Sequence, residues 1–219
     1  MEAIEARRSI RRYTERPLDA ATAGELKALV DECNREAPLS LSLLLDEPQG
    51  FSSLMGRVNF RGVRNYLALV GDKDADLQEA CGYYGEKVVL RATQLGVASC
   101  WFGSFFLGFK KDAITIGPQE KLLIVIALGH GAEEGRPHKS KPLESLYHTA
   151  GVEDAPEWFL QGVRAARLAP TARNQQKFLF VLAEGRVTAQ VVGGGAFSRM
   201  DLGIVRYHFE MASGVQVST

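Results

Sequence analysis

Between Leu77 and Leu95 the apolar residues Leu77, Cys81, Tyr84, Val88, Ala92 and Leu95 recur at helical spacing, with two glycines, Gly82 and Gly85, inside the same stretch. A glycine in a helix interior costs about 1 kcal/mol relative to alanine. A long helix that keeps two of them points to close approach by another backbone or by a ligand, and helix packing is the plainer reading. Gly96 stops the helix. On either side lie short apolar runs, Tyr66 to Gly71 and Leu122 to Leu128, which read as buried strands. The chain therefore has to combine sheet with closely packed helix.

The remaining elements follow from caps and breakers. A short helix covers Glu2 to Arg8, and extended chain runs on through Arg11, Arg12 and Tyr13 to Pro17. Thr22 and Glu25 form a capping box opening a helix whose face carries Leu26, Leu29, Val30 and Cys33, closed by Pro38. Leu39 to Leu45 reads as a strand, Gly50 to Gly62 as a glycine-containing excursion, and Ala98 to Phe106 as an aromatic connection. Further on, Asp154 caps a helix that begins with the acid Glu157 and runs to Leu168 ahead of Pro170. Phe178 to Ala183 and Val187 to Val192 are strands around the turn Glu184-Gly185-Arg186. Gly193-Gly194-Gly195 is a loop, and Asp201 to Ala212 a helix.

At 219 residues the chain can bury one sizeable core or two small ones. With 26 basic and 26 acidic residues its formal net charge is zero, a poor footing for binding nucleic acid. The basic residues are nevertheless clustered, at Arg7, Arg8, Arg11, Arg12 and Arg16 and again at Arg136, His138, Lys139 and Lys141. Two small clusters on a neutral chain suit one discrete anion such as a phosphate, or two solvated loops. The acidic start, Met1-Glu2-Ala3-Ile4-Glu5, is unlike a signal peptide, and no apolar run reaches bilayer length, so a cytoplasmic protein without membrane partners is expected. Cys33, Cys81 and Cys100 form no CxxC pair and fit reduced thiols. No metal spacing joins the four histidines. The Gly193 loop lacks the third glycine of a dinucleotide fingerprint, and neither a Walker lysine motif nor a GxSxG elbow is present.

Four blocks carry a resemblance. Arg7-Arg8-Ser9-Ile10-Arg11-Arg12-Tyr13, followed by Pro17, resembles the N-terminal signature of the FMN-dependent nitroreductase family. The segment Ala165 to Gln176, reading AARLAPTARNQQ, is similar to the family's helix-ending Ala-Pro-Ser and Asn-x-Gln-Pro-Trp. Gln94 to Gly103 is similar to the turn that packs along the flavin ring. Ile126 to Gly129, continuing to Lys139-Ser140-Lys141-Pro142-Leu143, resembles the closing strand and its basic phosphate loop.

The order of the blocks is unusual. The family's Asn-x-Gln segment commonly lies soon after the arginines, and the flavin sits between two identical subunits. Here the early counterpart, Ala37-Pro38-Leu39-Ser40, lacks Asn and Gln, and the intact version lies in the second half. The resemblance therefore implies an α+β, nitroreductase-like fold of two pseudo-symmetric halves that mimic the family dimer, residues 1–150 and a shorter 151–219 that completes the flavin site. A faint repeat agrees, with Gly85…Gly96-Val97 and Gly203…Gly214-Val215 sharing one spacing. Such a chain would act as a monomer, or as a homodimer if the halves are not duplicated.

The resemblance further implies a ping-pong oxidoreductase. NADH or NADPH would reduce FMN, and a nitroaromatic, quinone or related small acceptor would take the electrons, with no protein acid or base required. Arg7, Arg8, Ser9, Lys139 and Lys141 match the phosphate-binding positions, since guanidinium forks and ammonium groups suit a phosphate dianion. Arg11 matches the cation at the pyrimidine end of the ring. Pro170, Thr171, Ala172, Asn174 and Gln176 match one wall of the ring site, and Trp101, Phe102, Gly103 and Ser104 the turn facing its reactive edge. Lys177-Phe178 stands where the family has Pro-Trp. That departure keeps open a protein that binds flavin without significant turnover.

Overall fold

The computed structural model describes residues 1–103, 109–151 and 154–218, the side chains of Leu54, Met55 and Arg57 excepted. Two compact units account for the chain. One comprises Arg7–Leu77 and Val88–Pro137; the other comprises Met1–Ala6, Gln78–Lys87 and His138–Thr219.

In the first unit the core is a four-stranded antiparallel sheet of β1 (Ser40–Leu44), β2 (Asn65–Asp72), β3 (Ala98–Phe102) and β4 (Glu120–Gly129), in the order β1-β2-β4-β3. Asn65 through Gly71 are buried without alternation, as expected of a central strand covered on both faces. The first helix of the chain, α1 (Glu2–Ala6), ends before the arginines and belongs to the other unit. Helix α2 (Ala20–Glu36) lies against β1 through Leu26, Val30 and Cys33. Its N-cap is Asp19, which accepts the Thr22 backbone N–H at 2.9 Å and the Thr22 hydroxyl at 2.8 Å, so the capping box expected at Thr22 is replaced by an Asp cap three residues earlier. The helix stops at Glu36 because Ala37, ahead of Pro38, is held extended at ψ 148°.

Two expectations are corrected here. The excursion from Gly50 to Gly62 is entered through a short 3₁₀ turn, Pro48–Phe51, and contains a helix, α3 (Leu54–Asn59), capped by the Ser53 hydroxyl. The segment from Ala98, read as a connection, is strand β3 as far as Phe102. Its alternation puts Cys100 and Phe102 into a cluster with Phe51, Phe60 and Tyr66, the Phe102 ring centroid lying 5.2 Å from that of Phe60, while Trp101 points to the other face. Phe105, Phe106 and Ser104 lie outside the described residues.

The second unit is built on a three-stranded sheet, β5 (Tyr147–Ala150) parallel to β6 (Phe178–Ala183) and β6 antiparallel to β7 (Arg186–Val191). Helices α5 (Glu157–Ala166) and α6 (Ser198–Ser213) pack on each other and fill its core. Phe180 stacks on Phe209 at 4.6 Å, and Phe159 meets Phe209 edge-on at 5.7 Å. The α5 N-cap is Pro156 with no side-chain bond, so the cap expected at Asp154 is not used.

Helix α4 (Gln78–Gln94) contributes Gln78–Lys87 to this unit. There it crosses α6 glycine against glycine. A Cβ on Gly82 would lie 2.0 Å from the Met200 carbonyl oxygen, and one on Gly203 would lie 1.9 Å from that of Glu79. No side chain of any size fits at either position, which gives the glycine inside α4 its physical reason. Around the crossing, the Tyr83 hydroxyl donates to Glu210 at 2.7 Å and Arg206 pairs with Glu79. One turn further along, His208 contacts Glu86 with both side chains wholly buried. Gly96 and Gly214 follow α4 and α6 in the same left-handed conformation, φ 73° and 71°. No helix of the described chain is long and apolar enough to cross a membrane.

Candidate functional site

Two groups of candidate residues are each assembled within one unit. In the first unit, the arginine segment lies along the open edge of β3. Ser9 bridges Ser99 in parallel, and the Ile10 amide donates to the Ser99 carbonyl at 3.0 Å. The segment is then threaded on. The Tyr13 amide donates to Arg61 O at 2.8 Å, the Thr14 amide to His130 O at 2.9 Å, and the Ala132 amide to Arg12 O at 2.8 Å. Tyr13 anchors it from beneath, its hydroxyl donating to Ile10 O at 2.6 Å from a buried position. The arginine block and the β3 block, separate in sequence, are thus neighbours.

Along that edge Arg7 is buried at 5% exposure, with Nη1 facing the Ser9 hydroxyl at 3.5 Å, and Arg8 donates to Arg7 O at 2.9 Å. Arg11 is exposed. Of the β3 candidates, Phe102 is 5% exposed and belongs to the aromatic core, whereas Trp101 and Gly103 are half-buried. Cys100 is shut in as well. Burial pushes its thiol up, against smaller downward pulls from Arg11 and Arg7. It is a packed thiol rather than a nucleophile.

In the second unit, the chain leaving α5 forms a corner over Thr171–Gln176. Arg173, Asn174 and Gln176 all take left-handed backbone, φ 52°, 54° and 47°, a conformation that costs a side-chain-bearing residue roughly 1–2 kcal/mol each. Three such residues within four positions persist only where surrounding bonds over-determine them, and here those bonds run to the basic loop. Asn174 Nδ2 donates to Lys139 O at 2.7 Å, and Gln176 Nε2 donates to the same oxygen and to Asn174 Oδ1, both at 2.9 Å. In return the Lys141 backbone N–H donates to Gln176 Oε1 and its ammonium to Gln176 O, each at 2.9 Å. Thr171 Oγ1 accepts the Gln176 amide at 3.1 Å. Gln176 is 3% exposed and both Nε2 hydrogens are engaged, which makes it the brace of the corner. Asn174 and the lysines reach solvent. The basic loop and the Asn-x-Gln corner, separate blocks in the sequence, form one bonded structure.

Two residues of this region were not singled out from sequence. Arg167 ends α5, accepts the Ser140 hydroxyl through its carbonyl at 3.2 Å, and holds its buried Nε with no hydrogen-bond partner among the described residues. Its place three residues before Pro170 was a visible signal. Asp201, in the first turn of α6, accepts the Ala172 amide, and an acid at that position reads in sequence only as a complement to the helix end.

A family model described as "Putative TM nitroreductase" matches residues 1–213 of this chain. The chain belongs to this nitroreductase family. Its fold agrees. A crystal structure described as a "putative nitroreductase" from Thermotoga maritima MSB8 superposes with a TM-score of 0.67 at 22% identity, covering 96% of this chain and 82% of that one. An FMN and NADPH-dependent nitroreductase mutant derived from Sphigopyxis sp. strain HMH gives 0.55 at 19% identity, over 69% of this chain and 98% of that one. A "putative nitroreductase in complex with FMN" from Desulfovibrio desulfuricans gives 0.51 at 22%, over 71% and 96%. At these identities the likeness is one of fold. No curated protein matches the chain in sequence.

Within this nitroreductase-family chain the departure at Lys177-Phe178 has a structural role. Lys177 Nζ donates to Gly194 O at 2.5 Å, tying the glycine loop to the start of β6, and Phe178 is buried in that strand.

Proposed function

We propose that the protein is an FMN-dependent oxidoreductase that uses NADH or NADPH to reduce nitroaromatic, quinone or related small acceptors. The observation that carries this reading is the strained corner at Thr171–Gln176 braced on the loop of Lys139 and Lys141, because left-handed backbone at non-glycine residues concentrates where a ligand is received.

The residues present fit FMN. Among the described residues Arg167 Nε is a buried donor that lacks an acceptor, and the Lys141 ammonium donates one bond while carrying three hydrogens. A phosphate supplies the missing acceptors. Arg7, Arg8 and Ser9 offer the same chemistry from the first unit. In this proposal Lys139, Lys141, Arg7, Arg8 and Ser9 hold the phosphate, and Arg11 sets a cation at the pyrimidine end of the ring. Pro170, Thr171, Ala172 and Asn174 present short polar groups and backbone to the ring edge, with Gln176 fixing their positions. Trp101 and Gly103 line the side of the acceptor, with Phe102 backing them from the aromatic core; Ser104, which follows them in the sequence, lies outside the described residues. When bound, FMN supplies the redox chemistry, taking two electrons from a reduced nicotinamide and returning them to the acceptor. No side chain is required as an acid or base.

The visible spectrum of the purified protein after incubation with FMN, before and after anaerobic addition of NADH or NADPH, tests this. A flavin spectrum that bleaches is expected, and a protein that stays colourless overturns the reading. Flavin that binds and never bleaches would mark a carrier. On the duplicated reading one chain holds one flavin and acts as a monomer, which sedimentation together with flavin stoichiometry measures.

A further inference from the structure

We propose that Asp201 is a positioning residue for the flavin: by holding the Ala172 amide it fixes the corner at Thr171–Gln176, and it does so as an ionised carboxylate. The inference rests on the assignment of that corner to the flavin ring.

The geometry is specific. Ala172 N lies 2.9 Å from Asp201 Oδ1 and 3.1 Å from Oδ2, so both oxygens converge on one N–H. Asp201 is 7% exposed. Ala172 opens the short turn whose Arg173, Asn174 and Gln176 are left-handed, and the Gln175 amide closes back on the Ala172 carbonyl at 3.1 Å. Moving the Ala172 peptide therefore moves the whole strained turn. The other ties of the corner run to the loop of Lys139 and Lys141 and to Thr171, whereas Asp201 ties it to α6.

The choice of residue is informative. A neutral acceptor such as Asn could take the same N–H, yet a carboxylate is buried here with no cation supplied by the described residues. Burial is the larger influence on it and the Ala172 amide the smaller, opposing one, and no charged side chain among the described residues contributes. The balance pushes Asp201 up to about 6, so it is ionised at neutral pH and protonated in mild acid. A hydrogen bond to an ionised acceptor is the stronger one, and protonation weakens the hold on the corner.

The test compares FMN binding, followed by flavin fluorescence quenching, in the wild-type protein and D201N from about pH 5 to about pH 8. The FMN phosphate itself titrates in this range, equally in both proteins, so the ratio of affinities isolates Asp201. The ratio is expected near one at the acid end, rising to about tenfold in favour of wild type above about pH 6. In parallel, the Ala172 amide resonance of the flavin-free wild-type protein should titrate with the same midpoint and stay flat in D201N. A constant ratio, or a flat Ala172 resonance in the wild type, overturns the proposal. If neither protein binds FMN at any pH while Ala172 still titrates, the flavin assignment of the corner is what has failed, and Asp201 is reduced to a structural tie.

Discussion

His208 Nε2 lies 2.8 Å from Glu86 Oε1, and neither side chain has any contact with solvent. On the other side of the ring, Nδ1 faces the Ala165 carbonyl at 3.1 Å. A carbonyl can only accept, so Nδ1 carries a hydrogen and the contact with Glu86 shares a second proton. One imidazole thus joins α4, α5 and α6. Removing one member takes away a buried partner of the other, and His208→Ala or Glu86→Ala is expected to cost about 3–5 kcal/mol in denaturant unfolding. The double variant Glu86→Leu with His208→Leu, which buries no charge, should recover most of that loss. Additive losses in the double variant would show that the pair is not coupled.

At the crossing of α4 and α6, Gly82→Ala and Gly203→Ala each drive a methyl into a backbone carbonyl that has no room to retreat. Each is expected to destabilise by about 1–3 kcal/mol or more, although alanine is the better helix former. A gain in melting temperature in either variant would contradict the contact.

Asp201 makes a stability prediction independent of flavin. Its folded-state value, about 6, lies above the ordinary 3.8, so the native protein binds more protons than the unfolded chain between those values. The contribution of this group therefore falls as pH rises through that window, and its penalty is complete above about pH 6. At about 1.4 kcal/mol per pH unit the penalty reaches about 3 kcal/mol. Asp201→Asn should accordingly be more stable than wild type at neutral pH and lose that advantage toward pH 4. Unfolding curves at the two ends check the sign.

Flavin affinity tests the phosphate assignment. Hydrogen bonds to charged groups contribute about 1.5–3 kcal/mol each, so Arg7→Ala and Lys141→Ala should each weaken FMN binding about 10- to 100-fold. Riboflavin, which lacks the phosphate, should bind Arg7→Ala as it binds the wild type, whereas Lys141→Ala also removes the tie of the ammonium to Gln176 O. Full FMN affinity in the double variant would remove both residues from the site.

The cysteines should be silent in the folded protein. Cys33, Cys81 and Cys100 are all buried, and burial pushes the Cys81 thiol up to about 12. A thiol-specific chromogenic reagent is expected to label none of them natively and all of them in denaturant.

The legible part of this molecule was its local periodicity. Tyr66 to Gly71 announced a central strand because every residue in the run is apolar or small, and the glycine inside α4 announced a close crossing because nothing else repays a missing side chain there. Strand β3 was obscured because its aromatic residues occupy both faces, Trp101 outward and Phe102 in the core, which hides the alternation. The cap of α2 was misplaced by three residues because Asp19 and Thr22 are both capping types, and only the hydrogen bond between them decides. Of the candidate site, the sequence offered residue types in separate blocks. Its wiring was not legible, since Asn174 and Gln176 bond to the backbone of Lys139, and a carbonyl oxygen leaves no mark in a sequence. Asp201 was invisible for a related reason, as its partner is a peptide N–H.

The docking of Ser9 and Ile10 on Ser99 bears on how the protein survives its own synthesis. That segment covers the outer margin of β3, yet its anchors at Ser99, His130 and Ala132 emerge from the ribosome long after it does. Until they arrive, the segment has no strand to pair with, and its own peptide groups are able to recruit one from another molecule. A version lacking the first fourteen residues would leave the margin of β3 permanently open to a strand from a second molecule.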